Sequence, residues 1–194
     1  MKLIIVRHGE TIENVKRIIQ GHLGGNLSRE GKSQTKKLAE RLKDEKIDVI
    51  YSSDLKRTRN TAREIKKFHK NIPLYFDARI RERFFGDYQG THYENGWAWR
   101  SITSDMGGSI ENDLDMEKRI ATFLDEIIEK HKKETVLLVS HGGVKKLILN
   151  QIFGKHLPKI ASVEEVKNAS VSIFEIQSRE KIIPILLNCT RHLE

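Results

Sequence analysis

Two short apolar runs constrain this chain more than any other feature, because both end in the same way. Leu3-Ile4-Ile5-Val6 leads into Arg7-His8-Gly9, and Thr135-Val136-Leu137-Leu138-Val139 leads into Ser140-His141-Gly142-Gly143. Unbroken runs of β-branched residues and leucine, bounded by charge and glycine, read as strands buried on both faces of a sheet. Gly9 lets the backbone turn sharply or approach a ligand closely. In open α/β sheets ligands gather at the carboxyl ends of the strands. One histidine after a strand is more often a hydrogen-bonded loop residue than a reactive group. Two such strands, if parallel neighbours, would project both imidazoles into one crevice beside the Arg7 guanidinium.

The rest of the chain alternates between the two periodicities. Asp48-Val49-Ile50-Tyr51 and Pro73-Leu74-Tyr75-Phe76 read as strands, and 171–176 and 182–187 as a closing pair joined by the polar turn Gln177-Ser178-Arg179-Glu180. Pro184 places the last strand at an edge. One helix is predicted after Ser28, its N-cap, with Leu38, Ala39 and Leu42 inward. A second runs from about Leu55 to Phe68, capped by Ser53 or Asp54. A third carries Met116, Ile120, Phe123, Leu124, Ile127 and Ile128 on one face. A fourth opens at Gly142-Gly143 and continues through Val144, Leu147, Ile148 and Ile152; the N–H groups at its start suit a phosphate oxygen. Strands alternating with helices make the fold class α/β with a mainly parallel sheet. The length suits a single domain over 1–194. A glycine- and aromatic-rich stretch at about 86–110, with Tyr88, Tyr93, Trp97 and Trp99, reads as a lid-like excursion.

Lysine and arginine number 35 against 27 acidic residues, a net charge of +8. Such a surplus admits nucleic acid, an acidic membrane surface or small anionic substrates as partners. The cations are scattered without a block of five like charges, and they do not interleave with aromatics as on a single-strand-binding surface. No nucleic-acid partner is expected. No apolar run reaches the length of a signal-peptide core or a membrane span, and the lone Cys189 cannot form an internal disulfide, so a cytoplasmic protein with no membrane partner is expected. The glycines around Gln20-Gly21 and Gly24-Gly25 are not followed by Lys-Ser or Lys-Thr, and no His-Glu-x-x-His or comparable metal cluster occurs. Arg57, in the first turn of its helix, is either a surface arginine paired with Asp54 or an anion clamp. Glu82, among Arg79, Arg81 and Arg83, reads first as an exposed ion-pair partner. His22, His69, His92, His131 and His156 read most simply as surface or loop residues.

Taken in order, Arg7-His8-Gly9-Glu10-Thr11, Asn14 and Gln20-Gly21 resemble the opening signature of the histidine phosphatase superfamily, the phosphoglycerate mutase-like enzymes. Ser52-Ser53-Asp54-Leu55-Lys56-Arg57 with Thr61-Ala62 resembles its second motif. Arg81-Glu82 with Gly86 and Gly90 resembles its third, and Val139-Ser140-His141-Gly142-Gly143 its fourth. The resemblance implies a three-layer α/β/α sandwich needing no metal or organic cofactor. It implies His8 as the nucleophile that takes up a phosphoryl group, held by Arg7, Arg57 and His141. Asn14, Gln20 and Gly142 would lie around the substrate, and Glu82 would be the proton donor. Three features depart from the family pattern: Glu13 stands where many relatives carry tryptophan, Gly107-Gly108-Ser109-Ile110-Glu111 only partly matches a Gly-Glu-Ser element, and the lid after Gly90 has no counterpart. These bear on the substrate more than on the chemistry.

The chemistry asks for these residue types. Phosphoryl transfer through a loose transition state needs positioning and charge stabilisation above all. Arginines grip phosphate oxygens bidentately with a fixed charge. A neutral imidazole attacks when its other nitrogen is held by a hydrogen bond. A glutamic acid protonates the leaving oxygen and then takes a proton from water. For Glu82 that role requires the three neighbouring arginines to point away and bound substrate to keep its carboxyl protonated. The expected activity is hydrolysis of a small phosphorylated metabolite. A mutase would need a second anion grip, for which Arg81, Arg83 and Arg100 are candidates, and usually a longer insertion. A non-catalytic phospho-ligand or nucleic-acid binder is the alternative of another class. Self-association as a homodimer is left open.

Overall fold

Val6 of the first strand lies opposite Val139 of the fourth, and Arg7 opposite Ser140, so the two His-Gly turns leave the sheet side by side. The computed structural model describes residues 1–93, 109–154 and 166–194. Its six strands are β1 (Lys2–Arg7), β2 (Val49–Ser52), β3 (Leu74–Phe76), β4 (Thr135–Ser140), β5 (Val171–Ser178) and β6 (Lys181–Cys189). They form one sheet in the order β3-β2-β4-β1-β5-β6. β1, β2, β3 and β4 run parallel, whereas β5 and β6 are antiparallel to their neighbours. The sheet is therefore mixed and mainly parallel, and Pro184 sits on an edge strand as expected, where its missing N–H costs no ladder bond.

Side chains alternate between the faces of each strand, so a central strand needs apolar residues at every position. On β1, Leu3 and Ile5 pack with α4 (Asp113–Lys130) and α5 (Gly142–Leu147), through Ile120, Phe123 and Val144. Ile4 and Val6 pack on the other face with α2 (Arg29–Leu42) and α3 (Lys56–Lys66), through Leu38, Ala39, Ala62 and Ile65. Helices on both faces give the three layers. A short helix α1 (Ile12–Val15) follows β1.

Helix ends depart from expectation where they meet the site. Ser28 caps α2 by accepting from Gly31 N at 2.9 Å, as predicted. The N-cap of α3 is Leu55, with no side-chain cap; Ser53 Oγ accepts from Leu55 N at 3.3 Å, one residue short of the helix, while also bonding His141, and the Asp54 carboxylate goes to Arg81. The last long helix is not continuous: α5 ends at Leu147 and a π-helical turn, Ile148–Ile152, follows. The start of the excursion is stitched to the loop after α1, with Gly90 N donating to Ile19 O at 2.8 Å and Tyr93 N to Arg17 O at 2.9 Å. Trp97, Trp99, Arg100, Gly107, Gly108 and His156 lie outside the described residues. Among the described residues no helix is long and apolar enough to cross a membrane.

Candidate active site

The register of β1 on β4 brings the imidazoles of His8 and His141 to a centroid separation of 5.4 Å, edge to face. The Nδ1 atom of His8 lies 2.7 Å from the carbonyl oxygen of Gly9. A carbonyl can only accept, so Nδ1 carries the proton and Nε2 keeps its lone pair. His141 is tethered through the other nitrogen: Nε2 is 2.9 Å from Ser53 Oγ, and Nδ1 is buried without a hydrogen-bond partner. Both rings titrate well below the usual imidazole range. Burial is the main cause, and the guanidinium groups of Arg57 and Arg7 add to it for His8. For His141 burial again leads, followed by Arg57 and His8. Both are therefore neutral at pH 7.

Arg57 is not a surface residue paired with Asp54. It is 1% exposed, and its guanidinium donates to the carbonyls of Leu23 at 2.6 Å and Gly21 at 2.8 Å. Asp54 pairs instead with Arg81. Among the described residues no carboxylate pairs with Arg57, and burial lowers its pKa to about 10. A buried cation hydrogen-bonded to carbonyls, with no carboxylate in direct contact and only the longer-range pull of Glu82 and Glu13, gains from an anionic ligand beside it. Arg7, at the end of β1, donates to the carbonyl of Val166.

Glu82 is likewise not an exposed ion-pair partner. Its carboxylate accepts from Gly143 N and from Arg83 N, both at 3.0 Å. The Gly143 N–H, expected to be available for phosphate, is thus taken by Glu82. A side chain at 143 would place its Cβ 2.3 Å from Glu82 Oε1, so the contact depends on glycine there. The three flanking arginines are engaged elsewhere: Arg79 with Asp77 and Glu126, Arg81 with Asp54, Arg83 with Asp113.

Arg7, His8, Asn14, Gln20, Arg57, Glu82 and Gly142 all line one cavity of about 330 Å³. His141 does not line it and sits, fully buried, beside His8. Asn14 belongs to the first turn of α1, where its Oδ1 accepts from Thr11 N, so its amide N–H groups are what it can offer an anion.

Several members of the site escaped the sequence reading. Ser53 tethers His141, and Thr61 Oγ1 accepts from Gly9 N at 3.2 Å. Asn168 donates to the carbonyl of His8 at 3.1 Å and lines the cavity with Lys146. Ser53 and Thr61 stand inside a quoted motif; nothing near Asn168 marks it. Of the remaining histidines, His22 and His131 are not simple surface residues. His22 Nε2 donates to Glu82 O at 2.8 Å, and His131 is buried between Tyr51 and Glu134. Among the described residues no group of three His, Cys, Asp or Glu is placed to hold a metal ion.

An imidazole lone pair, two guanidinium groups and a carboxyl group converging on one cavity at the end of a parallel sheet suit the uptake of a phosphoryl group. The chain belongs to the histidine phosphatase superfamily: residues 3–188 match the family model of its branch 1. It is 35% identical over 204 residues to phosphoglycerate mutase-like protein 4 of Arabidopsis thaliana, covering 100% of this chain and 87% of that one. It is also 35% identical over 203 residues to phosphoserine phosphatase 1 of Hydrogenobacter thermophilus, covering 100% and 94%. Among solved structures, Bacillus stearothermophilus YhfR matches with a TM-score of 0.86 at 27% identity, over 100% of this chain and 99% of that one.

Proposed function

We propose that this protein is a phosphatase that hydrolyses the phosphate monoester of a small metabolite through a phosphohistidine on His8. The observation that carries the reading is the tether of His8. With Nδ1 committed to Gly9 O, Nε2 is the only nitrogen that can attack, and it does so from a neutral ring in a cavity walled by Arg7 and Arg57.

The substrate phosphate sits between the two guanidinium groups, with Asn14 and Gln20 as further contacts. As the bond from His8 Nε2 to phosphorus forms, the bond from phosphorus to the leaving oxygen breaks. Glu82 gives that oxygen its proton, and the alcohol departs. Water then loses a proton to the Glu82 carboxylate and attacks phosphorus; the nitrogen–phosphorus bond breaks and orthophosphate is released. We assign the Ser53 hydroxyl as the donor to His141 Nε2, because its oxygen already accepts from Leu55 N at 3.3 Å; the ring's proton then lies on Nδ1, from which His141 donates toward the phosphoryl group.

Phosphoglycerate mutase names among the relatives raise a second reading. It is disfavoured because two of the three candidates for holding a second anion, Arg81 and Arg83, are committed to Asp54 and Asp113; the third, Arg100, lies outside the described residues. A single domain over 1–194, acting in the cytoplasm without nucleic acid or membrane, completes the proposal. The test is phosphate release across a panel containing p-nitrophenyl phosphate, O-phosphoserine and 3-phosphoglycerate, the last also with a bisphosphate primer. Release from at least one ester, absent in His8→Ala, is expected; isomerisation of 3-phosphoglycerate much faster than release would make the protein a mutase.

A further inference from the structure

Glu82 lies on a stretch without regular secondary structure, yet a proton donor must be held to within a fraction of an ångström. Its carboxylate contacts come from two backbone N–H groups, which orient the tip but do not hold the loop. The loop is held from behind. Arg119, on α4, points its guanidinium at the 79–82 backbone, and all five of its donors are engaged. Nη1 donates to Arg79 O at 2.5 Å and to Arg81 O at 2.8 Å, and Nη2 donates to Glu82 O at 3.2 Å. Nε and the remaining Nη2 hydrogen meet the two oxygens of Glu111 at 2.5 and 2.8 Å. Glu111 in turn accepts from Phe84 N at 3.3 Å, and its own N–H donates to Phe84 O at 2.9 Å.

We propose that Arg119, braced by Glu111, is a positioning residue that sets the Glu82 carboxyl for proton transfer to the leaving group. The inference rests on the phosphatase reading. The geometry explains a pattern the sequence leaves puzzling. Carbonyls of the loop turn inward onto one arginine, while the side chains of Arg79, Arg81 and Arg83 turn outward onto other carboxylates. Those arginines therefore stay off the acid. A guanidinium fork suits such a brace, because five donors in a fixed plane can bridge three carbonyls and a carboxylate, which the three donors of a lysine cannot. Neither Arg119 nor Glu111 lines the cavity, and although the Arg119 charge also disfavours protonation of His141, their hydrogen bonds reach the site through the loop that carries Glu82.

A positioning role of this kind has a signature that general destabilisation lacks. p-Nitrophenolate leaves readily without a proton, whereas an alkoxide does not. Misplacing the acid must therefore penalise alkyl phosphates selectively in the step that phosphorylates His8, which kcat/KM reports; the later attack of water, where Glu82 acts as base, is common to both esters and enters kcat alone. Wild type, Arg119→Met, Arg119→Lys, Glu82→Gln and the double variant Arg119→Met/Glu82→Gln are compared on p-nitrophenyl phosphate and on O-phosphoserine or whichever alkyl phosphate the wild type turns over. General acid catalysis is worth about 10²–10⁴-fold. Arg119→Met is expected to lose about 10²-fold in kcat/KM on the alkyl ester and only a few-fold on the nitrophenyl ester. Arg119→Lys should recover part of the loss, and the double variant should be no worse than Glu82→Gln alone. Equal losses of kcat/KM on both esters, or losses that multiply with Glu82→Gln, would overturn the proposal. Should Arg119→Met fail to fold, Glu111→Gln carries the same comparison, with a smaller selective loss expected and an unselective one contradicting it. Wild type inactive on every ester would instead remove the phosphatase reading, a result distinct from any outcome for Arg119.

Discussion

Val6-Arg7-His8-Gly9 and Val139-Ser140-His141-Gly142 are neighbours in the sheet and near-copies in sequence, yet their imidazoles are held by opposite nitrogens. His8 is fixed through Nδ1 to the backbone of the next residue and lines the cavity. His141 is fixed through Nε2 to a serine hydroxyl 88 positions away in the chain and lies fully buried beside it. The glycines differ in the same way. A Cβ at Gly9 would stand 2.6 Å from the Gly31 carbonyl oxygen and 2.7 Å from the Thr35 methyl, whereas a Cβ at Gly142 would meet the Arg7 guanidinium at 3.3 Å. One turn is packed against the scaffold and, in the proposed mechanism, presents the nucleophile; the other is packed against Arg7 and there presents a donor. Closely similar local sequence thus takes on two arrangements from what each turn touches.

The comparison can be broken most sharply at the histidines. His8→Ala is expected to lower kcat by roughly 10⁴–10⁶-fold, as for loss of a nucleophile. His141→Ala removes one donor and should cost about 10²–10³-fold, with slow phosphoenzyme formation remaining; equal losses would erase the distinction. Next come the glycines. Gly9→Ala should cost about 1–3 kcal/mol through overpacking against backbone, read as a lowered Tm. Gly142→Ala should change stability by no more than about 0.5 kcal/mol, leaving Tm nearly unchanged, but raise KM, since Arg7 must shift. The smallest effect concerns pH. Both rings favour the neutral state in the fold, so the unfolded chain takes up protons first as pH falls below about 6.5. Stability should be full above that value and decline below it, in a window above the titration of ordinary carboxylates. Asp54 and Asp77, whose pKa values are lowered, keep their contribution until pH falls below about 4. His22 and His192 shift in the same direction as His8, so His8→Gln should reduce the slope between about pH 4.5 and 6.5 (about one proton's worth) without abolishing it. An unchanged slope would mean His8 is not held neutral.

Much of this was legible in the chain because it depends on local pattern. The apolar runs of β1 and β4, the alternation with helices and the edge position of Pro184 follow from periodicity and from what proline cannot donate. His8, Arg7, Asn14, Gln20, Arg57, Glu82 and Gly142 stand in ordered motifs, and all of them meet at one cavity. What escaped was set by partners distant in sequence. Nothing in Leu55-Lys56-Arg57 foretells that the loop carbonyls of Gly21, Leu23 and Gly24 would replace Asp54 as the arginine's partners. Asp54 is lost as a cap of α3 to the same long-range demand, since its carboxylate goes to Arg81, and Ser53 bonds both Leu55 N and the distant His141. Glu111, which reads as part of a poorly matched element, is understood only beside Arg119, eight residues on, and the loop both of them hold.

The most direct measurement is to mix the enzyme with labelled p-nitrophenyl phosphate, quench in alkali, where phosphohistidine survives, and map the labelled peptide. Label on His8, at Nε2 and absent from His8→Ala, is the expected result. Label on His141 or on any serine, or turnover undiminished in His8→Ala, would contradict the assignment of His8 as nucleophile.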